Sequence, residues 1–292
     1  MIEITAPASS ANLGPGFDCL GIALSMYDSF RVEASREYSV SGTEEKYSGP
    51  DNLFLVSYRR ACSSLGIGSP RKIAVTFDCG IPSSRGLGSS AALSASGAAA
   101  AFAVNGIPLS QEEVFRIASD IEGHPDNAAP AVYGGLRASL RCGDSWRSEA
   151  LDVSPALIFT ALIPDYEVST GEARRILPSS YPREAAVSGI SHAVLMCRAL
   201  ARGDMGLMKE AAPDLIHEPY RSRLIPGYER LKGIVSGTGD AVLVISGSGS
   251  TCLAVSLEPL PDTARQSILS LRDPSWRIEE LKVSGGIRIK RC

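Results

Sequence analysis

The sequence has only six lysines among its 292 residues, and none of them follows a glycine. The common phosphate-binding P-loop ends in Gly-Lys-Ser or Gly-Lys-Thr, so that loop is excluded. The 29 basic and 32 acidic side chains leave a net charge of −3, and no segment collects the basic residues that a run of phosphates requires. We therefore do not expect nucleic acid to be a partner.

Long apolar runs and closely paired cysteines are also missing. The nearest approach to a membrane span is the segment 91–104, which Ser94, Ser96 and Gly97 interrupt before it reaches the roughly 18 residues needed. The first residues lack the basic and apolar regions of a signal peptide. The seven cysteines contain no Cys-x-x-Cys pair, which argues against a zinc site and a disulfide framework. We expect a soluble cytoplasmic protein with reduced thiols and no membrane association.

The composition that remains is that of a globular protein, with 44% hydrophobic and 21% charged residues, and the length favours two domains. In the first half, the alternation of apolar residues and the positions of glycines predict strands and helices in mixed order. The polar stretch 143–149 suggests that this domain ends near residue 150. The predicted elements are strands at 2–6, 19–24, 30–34 and 72–79, a helix from Asp51 to Gly66, a helix at 89–104, and a helix from Ser110 to Gly123.

The second half has a different order of elements. The predicted elements are, in order, a strand at 157–163, several helices, two strands, a helix and a final strand. This order is that of the split β-α-β-β-α-β arrangement. We therefore predict an α+β fold with domains at 1–150 and 151–292.

A loop rich in glycine and serine lies between the strand at 72–79 and the helix at 89–104. Glycines let backbone N–H groups turn inward, and a helix N-terminus adds unpaired donors and a positive dipole end, so the loop predicts an anion site. The alternative is a tight turn capped by Ser89. A dinucleotide fingerprint is disfavoured because no acid follows before Glu112. The candidate phosphate-binding residues are Pro82, Ser83, Ser84, Arg85, Gly86, Leu87, Gly88, Ser89, Ser90, Ala91 and Ala92.

A phosphate loop without lysine needs another cation, most simply Mg²⁺. Ser90 at the start of the helix, with Glu122 or Asp120, could hold this ion through oxygen atoms. The alternative is that Ser90 is an ordinary helix cap and that both acids are solvated charges at a helix end.

Three further segments have an unusual density of polar groups or glycines. The first, 122–131, includes His124, which could equally be a structural histidine. The second, 8–21, offers an amide and a carboxylate beside three turn-forming residues. The third, 246–251, is either a flexible hairpin turn or a backbone wall against a ligand.

Together these segments resemble the GHMP kinase superfamily and, within it, the enzymes that phosphorylate the side-chain hydroxyl of L-homoserine with ATP and Mg²⁺. The residues that carry the resemblance are Pro-x-x-x-Gly-Leu-Gly-Ser-Ser-Ala-Ala at 82–92, Ser-Ala-Asn-Leu-Gly-Pro-Gly-Phe-Asp at 10–18, Glu-Gly-His-Pro-Asp-Asn at 122–127, Ser-Thr-Gly-Glu-Ala-Arg at 169–174 and His-Glu-Pro-Tyr-Arg at 217–221. The resemblance implies an N-terminal domain like the second domain of ribosomal protein S5, then a ferredoxin-like domain. It also suggests a homodimer and a step toward threonine.

The resemblance also implies roles for individual residues. The amino and hydroxyl ends of the acceptor would be surrounded by Asn12, Asp18, His124 and Asn127, and its carboxylate would be held by Arg174 and Arg221. Thr170 would lie near the transferred phosphoryl group, so that the catalytic set is Asn127, Thr170 and Arg174.

No general base is evident, because Asn127 stands where mevalonate kinases carry an aspartate. The expected mechanism is in-line transfer that depends on positioning and charge stabilisation. Two alternatives remain at this point: a GHMP kinase with a different acceptor, and a ligand sensor without activity.

Overall fold

Two long strands, β1 (Ile2–Asn12) and β2 (Gly16–Ala34), form the centre of a seven-stranded sheet in a computed structural model that describes residues 1–292. The sequence predicted separate strands at 19–24 and 30–34, which was wrong: both are parts of β2. The polar residues between them do not break the strand because they remain paired, as Asp28 is with Ala6 of β1 and with Cys79 of the strand at 73–79.

The first sheet has the order β11-β1-β2-β4-β3, with β5 attached to β2 and β6 attached to β5. All of its pairs are antiparallel except β3 with β4. The remaining strands of this sheet are β3 (Ser39–Ser41), β4 (Ile73–Cys79), β5 (Leu136–Cys142), β6 (Ser145–Leu151) and β11 (Arg288–Arg291).

Four helices pack with this sheet: α1 (Leu53–Ser64), α2 (Ser89–Val104), α3 (Gln111–Glu122) and α4 (Ala128–Tyr133). The bounds of α2 agree with the prediction, and its small side chains are almost all buried against α1 and the sheet. One predicted cap was displaced by one residue: Asn52, and not Asp51, caps α1. Gly88 precedes α2, so the alternative of a turn capped by Ser89 is not what the structure shows. Ser110 caps α3 as predicted.

The second sheet is antiparallel and consists of β7 (Ile158–Pro164), β8 (Ala241–Ile245), β9 (Cys252–Ser256) and β10 (Trp276–Leu281). Its order, β10-β7-β9-β8, is the order 4-1-3-2 of a ferredoxin-like sheet, so the predicted arrangement is confirmed. Between these strands lie the helices α5 (Thr170–Arg175), α6 (Arg183–Arg202), α7 (Met205–Ala211), α8 (Glu218–Arg221), α9 (Tyr228–Ser236) and α10 (Asp262–Leu269).

The two halves share one hydrophobic core. A cluster of 52 buried residues runs from the first sheet to one face of the second, and a cluster of 14 fills the other face under α9 and α10. No helix in the structure combines the length and the apolar character that a membrane crossing requires.

The end of the chain departs from the expected division at residue 150. The stretch 143–149, expected to close the first domain, is largely strand β6, and residues 288–291 return to the first sheet as β11 beside β1. The reason is the free edge of β1, whose N–H and C=O groups need a partner. Residues 151–292 are therefore not confined to the second domain.

Candidate active site

A cavity of about 360 Å³ lies where the two halves of the chain meet, and most of the residues that line it are not hydrophobic. It brings together residues from all the segments that the sequence singled out. Pro82, Leu87 and Ala92 do not line it, and Leu87 and Ala92 are core residues. The predicted site residues that do line it are Asn12, Asp18, Ser83, Ser84, Arg85, Gly86, Gly88, Ser89, Ser90, Ala91, Glu122, His124, Asn127, Thr170, Arg174 and Arg221.

The loop before α2 has the backbone geometry of an anion cradle. Ser84, Gly86 and Gly88 have φ values of 55°, 73° and 70°, in the left-handed region that turns successive N–H groups toward one side. No side chain caps the first turn of α2, which leaves its N–H groups and its positive dipole end directed at the cavity. A Cβ on Gly88 would lie 2.0 Å from Ser9 Oγ, so only glycine fits there.

The segment 246–251 forms a wall of the cavity. Ser246 Oγ donates to Gly86 O at 2.6 Å, and Thr251 N donates to Arg85 O at 3.2 Å. Gly247 N donates to Ala11 O at 3.1 Å, which ties the same segment to β1. Of the two interpretations of this segment, the structure therefore favours the backbone wall over the flexible turn.

Ser90 and Glu122 meet beside the phosphate loop. Ser90 Oγ donates to Glu122 Oε1 at 2.7 Å, and Ser94 Oγ donates to the same oxygen at 2.8 Å. Asp120 faces elsewhere, where it accepts hydrogen bonds from Arg116 and Trp146 at 3.1 and 2.9 Å. A hydroxyl and a carboxylate next to a phosphate cradle are the oxygen donors that Mg²⁺ takes when phosphates and water supply its other ligands.

At the other end of the cavity, Arg174 and Asp18 form a bidentate ion pair, with N–O distances of 3.1 and 2.9 Å. Asp18 follows the turn between β1 and β2 and has a φ of 53°. Asn12 supports it, since Asn12 Oδ1 accepts from Asp18 N at 3.1 Å and Nδ2 donates to Gly247 O at 2.8 Å. The amide of Asn12 thus fixes the shape of this end of the cavity.

Arg221 is buried, with 2% of its surface exposed. Its Nε donates to Ala173 O at 3.2 Å and its Nη1 to Gly247 O at 3.0 Å. Burial lowers the pKa of Arg221, and the nearby charge of Arg174 acts in the same direction. Two arginines thus converge on one end of the cavity, and this end is suited to a carboxylate.

His124 and Asn127 lie at the start of α4, held by the buried Asp126. Asp126 Oδ1 is 2.5 Å from His124 Nδ1 and accepts from Asn127 N at 2.9 Å. Burial opposes the charged form of His124, but the hydrogen bond and the charge of Asp126 outweigh it and raise the pKa of His124. Asn127 Oδ1 accepts from Ser9 Oγ at 2.9 Å. His124 is therefore held by a structural partner and also faces the cavity.

Sequence reasoning missed the far end of the cavity, beyond the phosphate loop. Lys46 Nζ lies 4.7 Å from the centre of the Tyr47 ring there. No motif marks this region. The one signal in the sequence is a lysine, one of only six, next to an aromatic residue. The lining residues outside those segments are Thr43, Lys46, Tyr47, Asp51, Asn52, Leu53, Phe77, Cys79 and Leu93, while Asp126, Gly247 and Ser248 line the cavity from segments that the sequence singled out.

Comparisons with known proteins agree with this geometry. The family model "GHMP kinases N terminal domain" matches residues 52–135, and "GHMP kinases C terminal" matches residues 196–270. The mevalonate kinase of Methanococcus jannaschii has the same fold, with a TM-score of 0.69 at 14% identity over 98% of each chain. Fold and site together define the class as the GHMP kinases, ATP-dependent kinases that act on small molecules.

Relatives with higher sequence identity assign the chain to one family within the GHMP kinases. A homoserine kinase from Clostridium botulinum (strain ATCC 19397 / Type A) is 35% identical over 100% of this chain and 99% of its own. A homoserine kinase from Trichodesmium erythraeum (strain IMS101) is 38% identical over 87% of this chain and 85% of its own. The crystal structure of homoserine kinase from Cytophaga hutchinsonii superposes with a TM-score of 0.86 at 28% identity, covering 99% and 97% of the two chains. The chain belongs to the homoserine kinase family.

Proposed function

We propose that this protein transfers the terminal phosphoryl group of ATP to the side-chain hydroxyl of L-homoserine, giving O-phospho-L-homoserine and ADP as a step in threonine biosynthesis. The observation that carries the proposal is the cavity itself: an anion cradle at the start of α2 and two converging arginines, Arg174 and Arg221, line the same space. That arrangement suits a nucleotide triphosphate beside a small acceptor that bears a carboxylate.

The phosphates would lie against the backbone of residues 86–90, where the left-handed glycines present N–H groups. The nucleoside would extend toward Lys46 and Tyr47 at the far end of the cavity, where an aromatic ring and an ammonium group are available. Ser90 and Glu122 would hold Mg²⁺, which when bound would neutralise charge on the phosphates.

The acceptor would be held at three points. Asp18 carries the carboxylate suited to its ammonium group, and Arg174 and Arg221 suit its carboxylate. His124 and Asn127 would then orient the hydroxyl, and Thr170, the first residue of α5, would lie beside the transferred group. Binding at both ends aligns the hydroxyl oxygen with the terminal phosphorus.

This chain offers no free carboxylate as a general base near Asn127. Asp126 is 3% exposed, and its Oδ1 is engaged by His124 and by the Asn127 N–H. Phosphoryl transfer passes through a loose transition state that needs little activation of the nucleophile. Alignment and electrostatic stabilisation by the loop, the arginines and the metal would therefore supply most of the rate.

An acceptor panel tests the function. The purified protein is incubated with ATP, Mg²⁺ and one acceptor at a time, and ADP release is followed. We expect turnover with L-homoserine that clearly exceeds turnover with mevalonate, galactose or L-threonine. Equal rates with any of these would refute the assignment. Two matched acceptors separate the contacts: 3-aminopropan-1-ol lacks only the carboxylate that the arginines would hold, and 4-hydroxybutanoate lacks only the amine that Asp18 would hold.

We also infer a cytoplasmic homodimer. The support is an apolar stripe on α6, where Val187, Ile190 and Val194 are 59%, 70% and 65% exposed. Glu184 lies at one end of α6 and Arg198 near the other, so two copies of the helix packed antiparallel would pair opposite charges. Light scattering should give twice the chain mass, and Val194→Glu should halve it. A wild-type monomer would refute this part.

A further inference from the structure

His217 is completely buried beside the acceptor end of the cavity, although it does not line it. It stands just before α8, four residues ahead of Arg221. Its Nε2 lies 2.8 Å from Gly14 O, in the turn between β1 and β2. Because a carbonyl oxygen only accepts, Nε2 must carry the proton and donate it. This hydrogen bond joins the second half of the chain to the turn that precedes Asp18.

The imidazole also supports an aromatic ring. Phe17 stacks on it, with ring centres 5.4 Å apart and an interplanar angle of 25°. The guanidinium carbon of Arg221 lies 5.0 Å from the centre of the same Phe17 ring. Phe17 therefore contacts His217 and Arg221, and it is covalently next to Asp18.

The backbone around His217 is itself anchored. Asp214 Oδ2 accepts from His217 N at 2.7 Å and from Glu218 N at 2.8 Å, which fixes the start of α8. His217 Nδ1 is buried without a hydrogen-bond partner, and burial lowers the pKa of His217 against the opposing charge of Asp214, whose Oδ2 lies 3.6 Å from Nε2. A buried polar atom without a partner is costly, and an apolar side chain would avoid that cost. The donor at Nε2 is the property of histidine that the site uses.

We propose that His217 is a positioning residue for the acceptor: its Nε2–H holds the Gly14 turn and its ring holds Phe17, which together set the separation of Asp18 and Arg221. The inference rests on the proposed function, in which those two residues bind the ammonium and the carboxylate groups that share one carbon of homoserine. The hydrogen bond and the ring contact of His217 do not involve the phosphate loop, so we expect nucleotide binding not to depend on it.

Three variants separate the hydrogen bond from simple packing. His217→Gln places an amide N–H about as far from the backbone as Nε2, His217→Asn places it too close to the backbone to reach Gly14 O, and His217→Leu removes it. His192→Leu is the matched control, because His192 Nδ1 is also paired with a backbone carbonyl, that of Ala211 at 3.1 Å, away from the cavity.

Steady-state kinetics and melting temperature are measured for each variant. We expect the Leu and Asn variants to raise KM for homoserine about tenfold, the scale of one lost hydrogen bond. We expect KM for ATP to stay within twofold, and the Gln variant to remain close to the wild type. The His192→Leu control should lower only the melting temperature. If His217→Leu does not fold, the comparison of Asn with Gln decides.

The proposal is overturned if the Leu and Asn variants keep the wild-type KM for homoserine, if Gln is as impaired as Leu, or if KM for ATP rises equally. A wild-type protein without homoserine turnover would instead refute the proposed function. In that event, hydrogen exchange at residues 14–18 still tests the positioning: faster exchange in Asn than in Gln supports it, and equal exchange overturns it.

Discussion

The guanidinium group of Arg174 and the carboxylate of Asp18 pair through two hydrogen bonds across the acceptor end of the cavity. Their side chains are 38% and 36% exposed, so the pair is solvated and contributes at most about 1 kcal/mol to the free energy of unfolding. The pair matters because it orients both side chains, and each of them is also a candidate ligand of homoserine.

Replacing Asp18 by asparagine should therefore reduce activity without reducing stability. We expect Asp18→Asn to lower kcat/KM for homoserine about a hundredfold, since the ammonium group loses its charged partner and Arg174 loses its alignment. The melting temperature should change little. Glu149→Gln is the control, because it breaks a pair with Arg147 that is more than 70% exposed on both sides. A matching loss of activity in the control would refute the role of Asp18.

Arg221 is tested by truncation. Arg221→Ala should raise KM for homoserine and lower kcat/KM by a factor equivalent to roughly 2 to 4 kcal/mol, because a charge-assisted contact is lost, Ala173 O loses its donor from Arg221 and Gly247 O keeps only Asn12. Arg223→Ala, two residues away at an exposed position, is the control. An unchanged KM for homoserine in Arg221→Ala would remove this residue from the site.

The metal assignment can be tested by a magnesium titration at fixed ATP. Glu122→Gln should raise the Mg²⁺ concentration for half-maximal activity about tenfold, and Ser90→Ala should act in the same direction with a smaller effect. Asp120→Asn should leave this concentration unchanged, because Asp120 pairs with Arg116 and Trp146 outside the cavity. If only the Asp120 variant shifts this Mg²⁺ concentration, Asp120 and not Glu122 is the magnesium ligand.

Gly86 allows a test of the contact between the phosphate loop and the 246–251 wall. A Cβ at this position would lie 2.2 Å from Ser246 O, and φ is 73°. Gly86→Ala should raise KM for ATP at least about tenfold, since the loop must move to relieve the clash. Gly106→Ala is the control: its φ is 70°, but no atom lies within 4 Å of the added Cβ. Equal ATP kinetics in both variants would mean that only backbone strain matters.

The buried carboxyl group of Asp28 should make the stability of the fold depend on pH. It is completely buried, its Oδ1 accepts from Ile81 N at the base of the phosphate loop, and its Oδ2 has no partner. Burial raises the pKa of Asp28 from 3.8 to about 6, against the lowering effect of its hydrogen bonds. Between these values the folded protein holds a proton that the unfolded chain has released, so this group destabilises the fold progressively as the pH rises through the window.

Asp28→Asn should therefore stabilise the protein at pH 7.5 by up to about 3 kcal/mol, at about 1.4 kcal/mol per pKa unit. The gain should shrink toward zero near pH 4, where the wild-type carboxyl is protonated. Urea unfolding of both proteins at several pH values measures it. Asp78→Asn, at an exposed position of β4, should show no such trend. A gain that does not depend on pH would exclude ionisation of Asp28 as its cause.

Local signals in the sequence were enough for the elements that local chemistry specifies. Helix α2 is bounded by Gly88 and filled with small residues, and the order of strands in the second half predicted the ferredoxin-like sheet. The continuity of β2 was missed, because it depends on pairing with β1 and β4 and not on its own alternation.

Local signals in the sequence are likewise not enough to predict the cavity. Short motifs predicted Asp18, Glu122 and Arg174, but their meeting in one space follows from the packing of the two halves. Lys46 and Tyr47 carry no motif, so only the fold brings them to the cavity. That Arg174 is paired with Asp18 also follows only from tertiary contacts.

The position of strand β11 affects how the chain folds during its synthesis. During synthesis, β1 emerges long before β11 and keeps one bare edge until residues 288–291 leave the ribosome, because β11 is its second neighbour. Exposed strand edges invite pairing with other chains. Truncating those four residues, or fusing a bulky partner directly behind them, should therefore show itself as inclusion bodies and poor recovery of soluble enzyme, and not merely as an altered tail.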